Sequence, residues 1–134
     1  MRKLVAALFL ATFVACGGDS ITDATASIAG TYTLQTVNGS PLPFTVFTSG
    51  TTKIEITDDV VTITDAGTYS ESGHTRTTNG SQVTTQVVSE VGSYTRNGTA
   101  ITFRSNDGLS VSTGAISGSS ITIVDSGISA VYKR

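Results

Sequence analysis

The sequence predicts an all-β protein, folded as a single antiparallel up-and-down β-barrel of eight to ten strands. Beyond Ile28, apolar and hydroxyl side chains alternate with a period of two, which is typical of half-buried strands. Gly, Asn and Asp signals interrupt the alternation at short intervals, as expected for hairpin turns. The 24 Thr and 17 Ser residues supply much of the polarity, and threonine, being β-branched, favours extended backbone. No segment of about ten residues or more has helical periodicity.

The first half of the domain contains four predicted strands. The alternation of Tyr32 and Leu34 with threonines predicts the first strand, and Pro41 and Pro43 confine the start of the second to an edge or a corner. Asp58-Asp59 predicts a turn between the third and fourth strands. These predicted strands span residues 30–37, 44–48, 52–57 and 60–64.

The second half contains six predicted strands in consecutive hairpins. Asn79-Gly80 is a strong hairpin signal for a type I′ turn, which needs positive φ at both central residues, and Asn97-Gly98 repeats the signal. The predicted strands span residues 68–78, 82–96, 99–104, 109–117, 120–125 and 128–133. Because consecutive strands are joined locally, an up-and-down barrel without exposed edges is favoured, and a β-sandwich of two sheets is the alternative.

The N-terminus predicts export and lipid attachment. Met1, Arg2 and Lys3 precede an apolar run over residues 4–14, too short for a transmembrane helix of about 20 residues. Phe13-Val14-Ala15-Cys16 resembles the lipobox of bacterial lipoproteins, with Phe13 where the family usually has leucine. The resemblance implies a signal peptide at 1–15, a lipidated tether at 16–27 attached through Cys16, a barrel domain at 28–134, and a membrane partner. The expected location is the bacterial cell envelope, facing the periplasm from the outer membrane.

A second resemblance covers most of the remaining chain. The segment 30–39 followed by Pro41-Leu42-Pro43, and the closing segments 114–123 and 131–134, resemble lipocalin-like bacterial lipoproteins. This resemblance implies a compact barrel tethered to an envelope membrane. The Gly-x-Trp motif of the large secreted lipocalins is missing, since Tyr32 stands where their tryptophan would be.

Composition and motifs argue against several functions. The formal net charge of −2, which becomes −4 after loss of Arg2 and Lys3, argues against a nucleic-acid partner. His74 is the only histidine and is predicted to be a surface residue, so neither a catalytic site nor a metal site is expected. Asp58, Asp59, Asp65 and Glu71 lack the spacing of a calcium loop and are assigned to turns. We therefore expect no enzyme activity and no cofactor.

The predicted function is binding. Glycines two residues before three of the tyrosines suggest bends at which an aromatic ring fills the interior. The residues expected to face the interior or a ligand are Tyr32, Leu34, Ile54, Ile56, Tyr69, Tyr94, Phe103 and Tyr132. The barrel would hold a small amphipathic molecule or serve a structural role in the envelope. The alternative is a protein or glycan interaction through the surface of the hairpin at residues 68–96.

Overall fold

The computed structural model describes residues 26–134. The predicted signal peptide, the lipid attachment site Cys16 and the tether up to residue 25 lie outside the described residues. In the described part the chain forms strands and turns, without helix. Its ten strands are β1 (Gly30–Val37), β2 (Ser40–Pro41), β3 (Phe44–Ser49), β4 (Thr52–Ile63), β5 (Thr68–Asn79), β6 (Gln82–Asn97), β7 (Ala100–Ser105), β8 (Val111–Ser117), β9 (Ser120–Asp125) and β10 (Ile128–Lys133).

Eight of these strands close into an antiparallel barrel. From β4 to β10 each strand pairs with the next, β10 pairs with β1, and β1 pairs with the second half of β4. The short β2 pairs with β1, and β3 pairs with the first half of β4. The predicted all-β, up-and-down barrel is confirmed, with two additional strands, and the alternative sandwich is not observed. Closure leaves no free sheet edge along the barrel itself.

One predicted turn is wrong. Asp58-Asp59 does not separate two strands, because β4 runs without interruption from Thr52 to Ile63. The register against β5 shifts between Ile56 and Asp58, so the strand contains a β-bulge at this point. The extra residue, Thr57, shifts the in-and-out alternation of side chains by one position. As a result, both Ile56 and Asp59 face the barrel interior. A carboxylate assigned to a surface turn is therefore only 8% exposed.

The turn type predicted at Asn79-Gly80 is also wrong. Asn79 ends β5, and the two turn residues are Gly80, with φ of 60°, and Ser81, whose φ is not positive. Glycine at the first central position with positive φ is the pattern of a type II′ turn. Gly98 repeats it, also with φ of 60°. The type I′ pattern occurs at Asn38-Gly39 instead, where φ is 50° and 77°.

The two ends of the barrel differ. The end where β1 and β4 pair is filled by a tight cluster in which the rings of Tyr69 and Phe103 meet edge to face, with centroids 5.0 Å apart. The described chain also enters here: the Arg96 guanidinium donates to the Ala26 carbonyl at 2.6 Å. We call this the closed end. Its buried apolar residues include Ile28, Tyr32, Val61, Ile63, Ile101, Ile116 and Ile121.

At the opposite end a ribbon of strands extends beyond the barrel. The pairing of β1 with β4 stops at Thr33 and Val60, and the earlier part of β4 pairs with β3 instead. We call the four-stranded sheet formed by residues 44–49, 52–57, 74–79 and 82–89 the arm. On its outer face Glu55 is ion-paired with Lys53 and Arg76, each at 2.8 Å. Its inner face continues the lining of the barrel.

Candidate ligand cavity

The open end of the barrel contains a cavity of about 300 Å³. The cavity exists because the pairing of β1 with β4 ends at Thr33 and Val60. Toward the open end the two strands separate, and side chains from opposite walls of the barrel no longer contact each other. The volume lies at the lower limit of small-molecule sites in proteins, roughly 300–1,000 Å³. The cavity is lined by Leu34, Val37, Ile56, Asp59, Glu71, Glu90, Ser110, Ser112, Ile123, Asp125, Ser126, Ile128, Ala130 and Tyr132.

Part of the cavity wall is apolar. Leu34 and Val37 come from β1, and Ile123, Ile128 and Ala130 lie at the junction of β9 and β10. Ile56 comes from the arm and links the cavity to the arm's inner face. Phe44 pairs with Ile56 and Phe47 with Ile54, so both rings lie on that same face, and Phe47 is 48% exposed. An apolar surface therefore leads from the cavity outward along the arm.

Four carboxylates face into the same cavity: Asp59, Glu71, Glu90 and Asp125. Asp59 is held from two sides, since the Tyr132 hydroxyl donates to its Oδ2 at 2.7 Å and the Val60 N–H donates to its Oδ1 at 2.8 Å. The Tyr69 hydroxyl donates to Glu90. Among residues 26–134, no Lys or Arg side chain lines the cavity. It is thus an apolar pocket with a strongly acidic interior.

Burial and neighbouring carboxylates change the protonation of Glu71. Burial, followed by the charge of Asp59, raises the pKa of Glu71 from 4.5 to about 8, and Glu90 and Asp125 act in the same direction. Glu71 therefore carries a proton at neutral pH. Burial also raises the pKa of the Tyr132 hydroxyl, and the neighbouring Asp59 raises it further. Tyr132 therefore remains a hydrogen-bond donor to Asp59 throughout the physiological range.

The residues predicted to face the interior fall into three groups. Leu34, Ile56 and Tyr132 line the cavity. Tyr32, Tyr69 and Phe103 are buried in the core, with Tyr94 packed against them. Ile54 lies outside both, because the first part of β4 belongs to the arm and the strand enters the barrel only after this residue. The sequence prediction thus placed most of these side chains inward but did not separate core from cavity.

The sequence prediction missed most of the lining residues, among them all four carboxylates. Glu71 follows Tyr69 by two positions, and Glu90 precedes Gly92 and Tyr94 by two and four positions. The same alternation that places these tyrosines inward therefore predicts inward-facing glutamates. That signal was present in the sequence, whereas the position of Asp59 depends on the bulge.

His74 lies at the rim, outside the main cavity. Its Nδ1 is 2.7 Å from Oδ1 of Asp58, and both side chains are substantially exposed. Among residues 26–134, no group of three or more His, Cys, Asp or Glu side chains is arranged to hold a metal ion. In the same residues no helix has the length and apolar character needed to cross a membrane.

The cavity and the topology define a class of protein: an eight-stranded antiparallel barrel with one open, acidic end. No protein-family model, curated protein or solved structure matches the chain. The function is therefore argued from the cavity itself.

Proposed function

We propose that this protein is a lipid-anchored envelope lipoprotein whose barrel binds a small amphipathic molecule with a positively charged head. The observation that supports the ligand class is that four carboxylates, and no basic side chain from the described part of the chain, line one cavity whose wall is partly apolar. Charged groups inside a protein are ordinarily paired, because removing them from water is costly. A cationic head group would supply the missing positive charge.

The protonation of Glu71 supports the same ligand class. Its pKa of about 8 reflects burial and negative neighbours without a compensating cation. A bound cation would replace the proton and return Glu71 to its ionised form. The apolar part of the ligand would contact Leu34, Val37 and Ile123, with Ile56 leading toward the arm.

A matched set of alkyl probes tests the proposal. We expect octyltrimethylammonium to bind about tenfold or more tightly than octanol, and octanoate to bind least, because the probes share an eight-carbon chain and carry cationic, neutral and anionic head groups, respectively. We expect the affinity for the cation to increase from about pH 6 to about pH 9, as Glu71 loses its proton. Isothermal titration calorimetry measures both effects.

Two variants and one control locate the binding site. Glu71→Gln and Glu90→Gln should weaken binding of octyltrimethylammonium, whereas Glu55→Gln should not. Glu55 is a matched control because its replacement removes a carboxylate from the outer face of the arm, away from the cavity. Equal binding of octanol and octyltrimethylammonium, or equal weakening by all three variants, would argue against a cation-selective cavity.

The lipid anchor rests on the sequence around Cys16, supported by the position of the chain entry. Residue 26 lies at the closed end, beside Arg96 and Arg134, and the cavity opens at the other end. A tether at this point would leave the mouth facing away from the membrane, open to a ligand from the periplasm. Acyl chains contribute about 0.8 kcal/mol per buried methylene, and two or more chains give stable anchoring.

The anchor is tested by Cys16→Ser. We expect this variant to leave the membrane fraction or to accumulate as unprocessed precursor, because its hydroxyl cannot form the thioether to the lipid. Membrane fractionation and a mass spectrum of the purified protein report both outcomes. Processing and membrane retention equal to those of the native protein would exclude the anchor without affecting the cavity proposal.

A second candidate function is a protein or glycan interaction through the hairpin formed by β5 and β6. One observation favours it: Val83, Val87 and Val91, which strand alternation places on one face of β6, are 60%, 66% and 55% exposed. Apolar side chains exposed this close together on a protein surface often mark an interaction site. Failure of all alkyl probes to bind would favour this candidate over the cavity.

A further inference from the structure

The first part of β6 is an unpaired sheet edge. β6 pairs with β5 along almost its whole length, from Asn79–Gln82 to Thr68–Ser93, but with β7 only from Gly92 onward. In the described part of the chain, residues 82–89 therefore have a neighbour on one side only. We call this segment the β6 edge. Unpaired edges present main-chain N–H and C=O groups that can pair with another strand.

The direction of the free main-chain groups follows from one hydrogen bond. The Val91 carbonyl points away from β5, since it accepts from the Asn106 N–H at 3.0 Å. In an antiparallel strand, every second residue directs its main-chain groups to the same side. Residues 83, 85, 87 and 89 therefore turn N–H and C=O groups outward, and the loop after β7 ends the edge at Val91.

The β6 edge lacks the features that protect such edges. Its sequence, Gln-Val-Thr-Thr-Gln-Val-Val-Ser, contains no charged residue, proline or glycine. Proteins usually blunt an exposed edge with lysine, proline or a bulge. The opposite edge of the arm does so, because β3 begins next to Pro43 and is bulged between Thr45 and Phe47. The contrast within one sheet indicates that the β6 edge is open to a partner.

We propose that the β6 edge pairs antiparallel with the same edge of a second copy of this chain, joining the two arms into one continuous sheet. This interaction goes beyond ligand binding and does not depend on it. With Thr85 opposite Thr85 of the partner copy, the outward-directed residues are in hydrogen-bonding register. Val83 of each copy then faces the partner's Val87.

The charge pattern favours a second copy as the occupant. The chain is acidic overall, yet the β6 edge is neutral, so two copies can approach there without like charges facing each other. Across the hairpin, Thr85 pairs with the charged residue Arg76. Its guanidinium is ion-paired with Glu55 at 2.8 Å on the outer face of the arm, not with a residue of the β6 edge. A strongly charged peptide would find no complementary group along this edge.

Sedimentation velocity over a concentration series tests the proposal on the purified protein. We expect a concentration-dependent dimer whose dissociation constant rises about tenfold or more in Thr85→Pro, because proline removes an outward N–H donor from each copy. The hairpin survives this change, because the lost N–H points away from β5. Thr85→Ala is the matched control and should dimerise like the native protein. Val87→Lys, a second disrupting variant, places a charged side chain against the partner's apolar Val83.

Disulfide formation reports the register independently of stability. Thr85→Cys should oxidise to a covalent dimer, since the two residues face each other across the interface. Thr78→Cys, on the neighbouring strand and away from the edge, should not. A native protein that is monomeric at every soluble concentration would overturn the proposal. This outcome includes the case in which residues 1–25 of the same chain occupy the edge. A dimer that persists in both Thr85→Pro and Val87→Lys would also overturn it.

Discussion

Gly92→Ala is expected to destabilise the barrel by about 3 kcal/mol or more. Gly92 faces the barrel interior from β6, directly beside the Tyr69 ring. A Cβ at this position would lie 2.1 Å from the carbonyl oxygen of Arg104 and 2.6 Å from Cε1 of Tyr69. Neither contact can be relieved by rotating a flexible side chain, because one involves main chain and the other a buried ring.

The cost reaches beyond the substituted residue. Tyr69 packs edge to face on Phe103, and its hydroxyl donates to Glu90 at the floor of the cavity. Displacing the Tyr69 ring therefore loosens both the core and the cavity. Overpacking of a well-packed interior ordinarily costs about 1–3 kcal/mol, and the main-chain contact places this variant at the upper end.

Urea denaturation with the linear extrapolation measures the change. Ser93→Ala is the matched control, because Ser93 is the next residue of β6 and its side chain is exposed. We expect the control to lie within about 0.5 kcal/mol of the native protein. Comparable stability of Gly92→Ala and Ser93→Ala would mean that β6 and β7 are farther apart than the structure places them.

Much of the fold could be predicted from the sequence because the evidence for it is local. Tyr32 and Leu34 alternate with threonines, and the resulting strand, β1, has the predicted bounds, as do β9 and β10. Consecutive hairpins leave few possible arrangements, so the barrel follows from short connections. The turn types were harder to predict from the sequence. Asn-Gly suggested that both residues occupy the turn, but Asn79 remains in the strand, and of these two residues only Gly80 adopts positive φ.

The bulge in β4 could not be predicted in the same way. Two adjacent aspartates are typical of a turn, and the local sequence offers no competing signal. What holds Asp59 inward is the hydroxyl of Tyr132, 73 residues later in the chain. The acidic character of the cavity therefore has two origins: a long-range hydrogen bond, which holds Asp59, and the local alternation of side chains along the strands. The alternation alone places Glu71 and Glu90 inward, but Asp59 needs the partner strands.

Glu71→Gln is expected to remove a pH dependence of stability and to stabilise the protein at alkaline pH. In the folded protein Glu71 keeps its proton to about pH 8, whereas in the unfolded chain it loses the proton near its ordinary value of 4.5. Between these values unfolding releases a proton, so rising pH favours the unfolded state. The native protein should therefore lose stability from about pH 5 to about pH 8, by up to about 1.4 kcal/mol per pH unit.

Glutamine mimics the protonated form, since its amide can donate a hydrogen bond toward Asp59 but has no proton to lose. At about pH 5 the variant should resemble the native protein, and at about pH 8 it should be more stable by up to about 4 kcal/mol, the stated slope taken over three pH units. Tyr132, Glu90 and Asp125 also face this position, and all are unchanged in the variant. Urea denaturation at a series of pH values measures the difference.

Glu55→Gln provides the control with the opposite sign. Hydrogen bonds, first from Lys53 and then from Arg76, lower the pKa of Glu55 below its usual value. Its stabilising contribution is present above the unfolded pKa and is lost only when pH falls through the lower folded value. Glu55→Gln should therefore leave the slope between about pH 5 and pH 8 unchanged. If the pH dependence of the unfolding free energy survives in Glu71→Gln, its origin lies outside the cavity. If the native protein shows no such pH dependence, Glu71 is ionised in the folded protein. In that case a cation, or water reaching deeper than the geometry suggests, would already compensate the carboxylates.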